Sequence, residues 1–156
     1  MVYRMSIALG SLISGLVALY LHLWKTNKFG LGGTLACGAG HGCEIAQYSS
    51  YGYFLKVDVA LIGAVGWGTV FVISFLGTLP RHEDARWPTI ALAALVYPAL
   101  LFTLRLKYGE FIVLDTFCPW CAVNAVIVVV ACVLVALDWR RLRRLDVSGT
   151  TAQAAA

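Results

Sequence analysis

Phe117-Cys118-Pro119-Trp120-Cys121 opens an apolar run that continues from Ala122 to Leu137 and is broken only by Asn124. The stretch reads as a Cys-x-x-Cys pair at the mouth of a membrane-spanning segment. In a helix, Cys118 and Cys121 lie on one face, within a turn of the helix start. The free N–H groups and the positive end of the helix dipole favour a thiolate there. Pro119 suits such a start, because its missing N–H costs nothing in a first turn. A dithiol so placed can close a short-loop disulfide and pass electrons to something dissolved in the bilayer.

Outward from this stretch the chain stays apolar. It has 156 residues, is 60% hydrophobic with a mean hydropathy of +0.81, and carries only 13% charged residues. A soluble domain holds about 25% charge, so the class is an all-α integral membrane protein with one four-helix bundle. The net charge of +4 is modest, and four arginines fall within residues 139–144. That cluster reads as a membrane-anchor flank and not as a nucleic-acid surface. The predicted spans are residues 6–24, 57–79, 87–104 and 117–137, the third kinked at Pro98. The first span is about 28 Å long as a helix, enough to cross the hydrocarbon. It is long for a signal peptide, and residues 25–35 offer no clear cleavage site.

Between the spans, residues 25–53 form a glycine-rich polar loop holding Cys37, His41, Cys43, Ser49 and Ser50. A short helix over residues 44–54 is expected to lie at the interface, with Tyr48, Tyr51, Tyr53 and Phe54 as an aromatic belt. Residues 80–86 form a tight charged turn and 105–116 a short loop. Residues 1–145 make one transmembrane domain, and 146–156 a disordered cytoplasmic tail.

Four spans leave both termini on one side. Arg4, Arg81, Arg86, Arg140, Arg141, Arg143 and Arg144 share that face, seven cations against the five of Lys25, Lys28, Lys56, Arg105 and Lys107. The termini are therefore predicted cytoplasmic and the cysteine loops extracytoplasmic. Two spans separate Cys43 from Cys118, and an even number of crossings returns the chain to its starting side. Both cysteine pairs face one compartment.

Two dithiols on one side of a membrane can relay electrons by thiol–disulfide exchange, each step passing through a mixed disulfide. The loop pair can meet a protein partner, and the helix-start pair a lipid-soluble acceptor. Purely structural disulfides are the plainer alternative, but a bridge across Cys118 and Cys121 closes too small a loop to stabilise much. The spacing allows a four-cysteine zinc site, but zinc beside a lipid face in an oxidising compartment is disfavoured, so no metal is expected. Cys132 lies about 16 Å deeper along the helix than Cys121 and reads as an apolar packer. His22 reads as a satisfied polar group; His41 sits between Cys37 and Cys43, where it could help ionise them, but its exposure weighs against that role. Asn124 faces either the acceptor or another helix. Asp58 heads the second span, and Trp67 and Trp120 can line a ring-binding pocket.

The ordered set resembles the vitamin K epoxide reductase family in its bacterial form. Shared features are a first span, the loop pair Cys37 and Cys43, and Cys43-x5-Ser49-x-Tyr51. A second span opening toward Gly63 and the Cys118-x-x-Cys121 pair at the fourth complete the set. The resemblance covers the chain from the first span to about Leu137. It implies a four-helix membrane bundle around a quinone of the ubiquinone or menaquinone type, in a bacterial inner membrane. It also implies that Cys37 meets the redox partner, that Cys43 exchanges with Cys118, that Cys121 faces the quinone, and that Ser49 is the family's loop serine. The expected quinone-contact set is Cys121, Asn124, Trp67, Ser49 and Asp58.

The chain departs from the family's pattern in two places. Asp58 stands where bacterial members often have proline, and Ala125 where animal members have a tyrosine. The second departure favours quinone over epoxide as acceptor. The sequence holds no thioredoxin-like domain, so the expected partner is a separate thioredoxin-like (DsbA-like) protein, with no nucleic acid involved. The bacterial disulfide-bond membrane oxidase is a rival with similar chemistry, but its Cys-x-x-Cys lies in the first outer loop. A non-enzymatic scaffold or small transporter leaves the paired cysteines unexplained.

Overall fold

The computed structural model describes residues 2–26, 42–82 and 84–154, with 146–154 as backbone only. Cys37 and His41 lie outside the described residues. Helix α1 spans Val2–Thr26, α2 Gly42–Tyr48, α3 Val59–Leu76, α4 Trp87–Tyr108 and α5 Pro119–Ala154. Four helical segments are long and apolar enough to cross a membrane: Val2–Thr26, Val59–Leu76, Trp87–Val113 and Pro119–Leu145. The principal contacts run α1 to α3, α3 to α4, α4 to α5 and α5 back to α1, which closes a four-helix bundle.

Each span gives the core one stripe. Ile7 from α1, Trp67 and Val70 from α3, Leu92 and Val96 from α4, and Val128, Ala131, Cys132 and Val135 from α5 form one buried cluster. The outward stripes stay apolar and exposed, among them Leu9, Ile13 and Leu16 on α1, Val72 on α3, Leu101 on α4 and Val126, Val130 and Val133 on α5. Apolar residues on both faces are what a helix needs when its other neighbour is lipid.

The first loop differs from its expected form. The helix at 44–54 stops at Tyr48 and gives way to a 3₁₀ turn, Ser50–Gly52. A two-stranded hairpin follows, β1 Tyr53–Phe54 and β2 Val57–Asp58, with Tyr53 opposite Asp58. Its two-residue turn is Leu55-Lys56, at φ 51° and 66°, the left-handed pair that a tight antiparallel hairpin requires. Gly52 permits the fold-back: a Cβ there would stand 2.2 Å from the Gln47 carbonyl oxygen. The second span therefore begins at Val59, with Asp58 as N-cap accepting the Ala60 N–H at 3.3 Å.

The expected loop at 105–116 is also mostly helical. Helix α4 carries Pro98 in its interior and runs to Tyr108, then widens into a π-helical turn, Gly109–Val113. Gly109 is required there, because a Cβ would come within 2.6 Å of the Tyr51 ring. The backbone of α5 continues helical to Ala154, through the segment expected as a tail.

The bundle end opposite the cysteines is tied by a buried polar knot. Arg4 Nε donates to Asp138 Oδ2 at 2.8 Å. Its Nη1 donates to the carbonyls of Gly77 and His82, and its Nη2 to the Ala85 carbonyl and Thr89 Oγ1. Thr89 Oγ1 in turn donates to Asp138 Oδ2 at 2.6 Å. One guanidinium thus joins α1, α5, the start of α4 and the turn between α3 and α4.

Candidate redox site

Cys118 sits one residue before α5, and its carbonyl accepts the first helical hydrogen bond, from the Ala122 N–H at 3.0 Å. It is the N-cap rather than a residue of the first turn. Pro119 follows at the first helical position, where a missing donor costs nothing. The Cys118 Sγ turns back over the helix and accepts the Cys121 N–H at 3.3 Å. The sulfur takes the place that a serine or aspartate oxygen fills in other caps.

The same residue is held from the other side. The Cys118 N–H donates to Glu110 Oε1, and the other Glu110 oxygen accepts Lys107 Nζ at 2.6 Å. The π turn brings Glu110 inward, where it is only 4% exposed. Hydrogen bonding from the Cys121 side chain holds the Cys118 thiol below its ordinary range. Burial opposes this, the Cys121 backbone N–H adds to it, the Glu110 carboxylate pushes the thiol up and the Lys107 ammonium pulls it down. The more ionisable sulfur of the pair is thus the one at the helix cap.

Cys43 and Cys118 are both fully buried. They share one cluster with Leu21, Trp24 and Ala60, against which Trp120 and Cys121 also pack. Cys43 is disulfide-bonded, while Cys118 and Cys121 are free. Cys43 of the loop pair therefore meets the Cys118 and Cys121 pair at one end of the bundle, as the even number of crossings requires.

Cys121 faces a different space. It lines a cavity of about 460 Å³ between α1, α3, α4 and α5, walled by Leu21, Val70, Val96 and Phe102 among other apolar residues. This is the size of a small-molecule site. Trp67 and Asn124 line it too, joined by a 2.9 Å hydrogen bond from the indole Nε1 to Asn124 Oδ1. Gln47 reaches across from α2, its Nε2 3.9 Å from Cys121 Sγ. The Trp120 indole N–H is buried with no hydrogen-bond partner among the described residues, and Trp120 also lines the cavity.

Ser49 and Asp58 are not among the cavity-lining residues. The Ser49 hydroxyl is spent on the Ala46 carbonyl at 2.8 Å. Asp58 pairs with His22 Nδ1 at 2.6 Å and Lys25 Nζ at 3.0 Å. Lys25 also donates to the Gln47 carbonyl at 2.6 Å and lies 3.7 Å over the Tyr53 ring, so one lysine fastens the hairpin and α2 to α1. Cys132 packs in the core, with its Sγ 3.8 Å from the Val96 carbonyl. Glu110, Lys107 and Gln47 were not singled out from sequence. The available signal was an acid and a base three residues apart, just ahead of a cysteine pair in a chain poor in charge.

The model of the vitamin K epoxide reductase family matches residues 5–136. The chain belongs to this family. A search of curated proteins gave no match. Family membership makes the chain an integral-membrane oxidoreductase of the thiol–disulfide and quinone type. The cavity suits the family's acceptor class. It is apolar, of ring-holding size, bordered by a redox-capable sulfur, and carries an indole donor with no hydrogen-bond partner among the described residues.

Proposed function

We propose that this family member is a membrane thiol oxidase and quinone reductase that supports disulfide-bond formation. Electrons enter from a thioredoxin-like protein at Cys37 and Cys43, pass to Cys118 and Cys121, and leave to a membrane quinone. The observation that carries the reading is the division of labour between neighbouring sulfurs. Cys118 is sealed beside Cys43, and Cys121 lines the cavity. Exchange with the loop pair runs through Cys118, whose lowered thiol pKa suits a nucleophile or leaving group. Cys121 then completes the helix-start disulfide at the cavity wall. A quinone, when bound, would take up the two electrons and two protons that the Cys118 and Cys121 dithiol gives up as this disulfide forms. Trp67 and Asn124 orient the ring, and the apolar wall excludes water. The arginine distribution supports cytoplasmic termini and an extracytoplasmic cysteine end.

Purified chain in lipid nanodiscs, given a reduced thioredoxin-like protein and a short-chain naphthoquinone, should oxidise the first and reduce the second in equal amounts. Cys118→Ala and Cys121→Ala should each abolish the coupling. Coupled turnover that survives loss of either cysteine would sink the proposal.

A further inference from the structure

Lys107 and Glu110 are the only charged residues among the described residues lining the cavity. They stand three residues apart where α4 meets the π turn, with Nζ 2.6 Å from Oε2. Glu110 is 5% exposed at its side chain and Lys107 17%. The second Glu110 oxygen is bound to the backbone N–H of Cys118. A chain of polar contacts thus runs from a partly wetted ammonium through Glu110 to the backbone N–H of Cys118, along the wall that Cys121 shares. Charged groups on such an apolar wall are costly to keep and mark chemistry more often than packing.

Oxidation of the dithiol supplies protons as well as electrons. Two S–H bonds break, one S–S bond forms, and two electrons and two protons end on the two quinone oxygens. Most of the wall is hydrocarbon and indole, which carries no proton. Among the described lining residues Lys107 is the one cationic acid, and Tyr51 brings the one phenol hydroxyl.

We propose that Lys107, held at the cavity wall by Glu110, is the proton donor to one oxygen of the quinone as Cys118 and Cys121 are oxidised. Cys121 gives the other oxygen its own proton. Cys118 releases its proton as it ionises, and Lys107 is reprotonated from the water on its exposed side, so the count closes. Glu110 is a positioning residue: it aims the ammonium and ties its placement to the Cys118 backbone. This inference rests on the cavity being the quinone site.

The test uses full-length chain in nanodiscs with a short-chain naphthoquinone. Lys107→Arg keeps the charge but cannot give up a proton. Lys107→Met/Glu110→Gln leaves no lone buried charge and keeps an acceptor for the Cys118 N–H. Both should slow single-turnover quinone reduction about 100-fold, the usual contribution of a positioned acid. Quinone binding, read by quenching of tryptophan fluorescence, should shift less than about threefold, because general-acid catalysis acts on the reaction step rather than on binding. Exchange between Cys43 and Cys118, trapped by alkylation, should keep its wild-type rate. Without quinone, the ultraviolet thiolate titration of Cys118 should move up in Lys107→Met and down in Glu110→Gln, following the opposite pulls of these groups on the thiol.

A wild-type rate in Lys107→Arg would overturn proton donation and leave only a role for the charge. Equal loss of quinone reduction and thiol exchange in the double variant would make the pair a structural brace. An unmoved Cys118 titration in both single variants would place the pair away from the dithiol and overturn the proposal. A wild-type chain that reduces no quinone fails earlier, at the acceptor itself, and is distinguished from all of these.

Discussion

Asp138→Ala takes the countercharge from a guanidinium that cannot lose its own charge. Arg4 and Asp138 are each 1% exposed and lie 2.8 Å apart. Arg4 would keep Thr89 and the carbonyls of Gly77, His82 and Ala85 for its Nη groups, but its Nε–H and its charge would lose their partner. Removing one partner of a buried pair costs ~3–5 kcal/mol, a large share of a typical stability of about 5–15 kcal/mol. Arg4→Met arrives at a similar loss from the other side. Asp138 Oδ2 keeps only the Thr89 hydroxyl, Oδ1 already has no hydrogen-bond partner among the described residues, and three carbonyls lose their donor. Arg4→Met/Asp138→Leu buries no charge. Its main residual costs are the buried Gly77 carbonyl and the buried Thr89 hydroxyl, about 1–3 kcal/mol each, since the His82 and Ala85 contacts are only part-buried. The double variant should therefore be more stable than either single one, with a coupling of about 3 kcal/mol, the upper end for neighbouring residues. Denaturant titration in mild detergent, followed by tryptophan fluorescence and pulse proteolysis, measures all four corners of the cycle. Additive losses would refute the reasoning, because the carbonyl cradle would then outweigh the charge pair.

Cys118→Ser and Cys118→Ala should be equally dead in quinone-coupled turnover, yet the serine variant should be more stable by about 0.5–2 kcal/mol because its hydroxyl still caps α5. Cys132→Ser should retain turnover within about twofold, since buried structural cysteines are inert; a loss as deep as that of Cys121→Ala would overturn its assignment to the packed core. Exchange between Cys118 and Cys43 should rise with pH and level off below the ordinary thiol range, because the thiol ionises early; a profile that levels only where a free thiol does would remove the helix-cap explanation. Tags at the C-terminus and within residues 80–86 should be protected in right-side-out vesicles, while Cys43 should label from outside after reduction; an accessible C-terminus would reverse the orientation.

The spans were legible because a charge-free run has few other uses. The run at 6–24 extends to Val2–Thr26, and the one at 117–137 begins a longer helix at Pro119. Counting crossings was enough to bring Cys43 to the end that holds Cys118 and Cys121. The hairpin was hidden because its left-handed turn is built from Leu55 and Lys56, with none of the asparagine or glycine that announces such turns. The helical extension past Leu104 was hidden because Arg105 and Lys107 look like loop residues until Glu110 and the Tyr51 ring are there to receive them. Arg4 read only as an orienting charge. Its partner lies 134 residues away, and no local pattern joins them. Trp67, Asn124 and Cys121 fell in the cavity because a site beside lipid needs ring surfaces and few polar atoms. Ser49 and Asp58 had closer partners within their own loop.

The Cys118 sulfur holds two posts. While free it receives the Cys121 N–H and closes the end of α5. Once bonded to another sulfur it is a weaker acceptor for that amide than a thiolate, and the first turn of the helix is expected to loosen. Each electron transfer through the site is then also a brief local opening, confined to one turn by Pro119 and by the Glu110 bond on the preceding N–H. The Cys121 amide becomes a clock for the relay: its hydrogen-exchange protection falls when Cys118 is engaged and returns when the thiol is released.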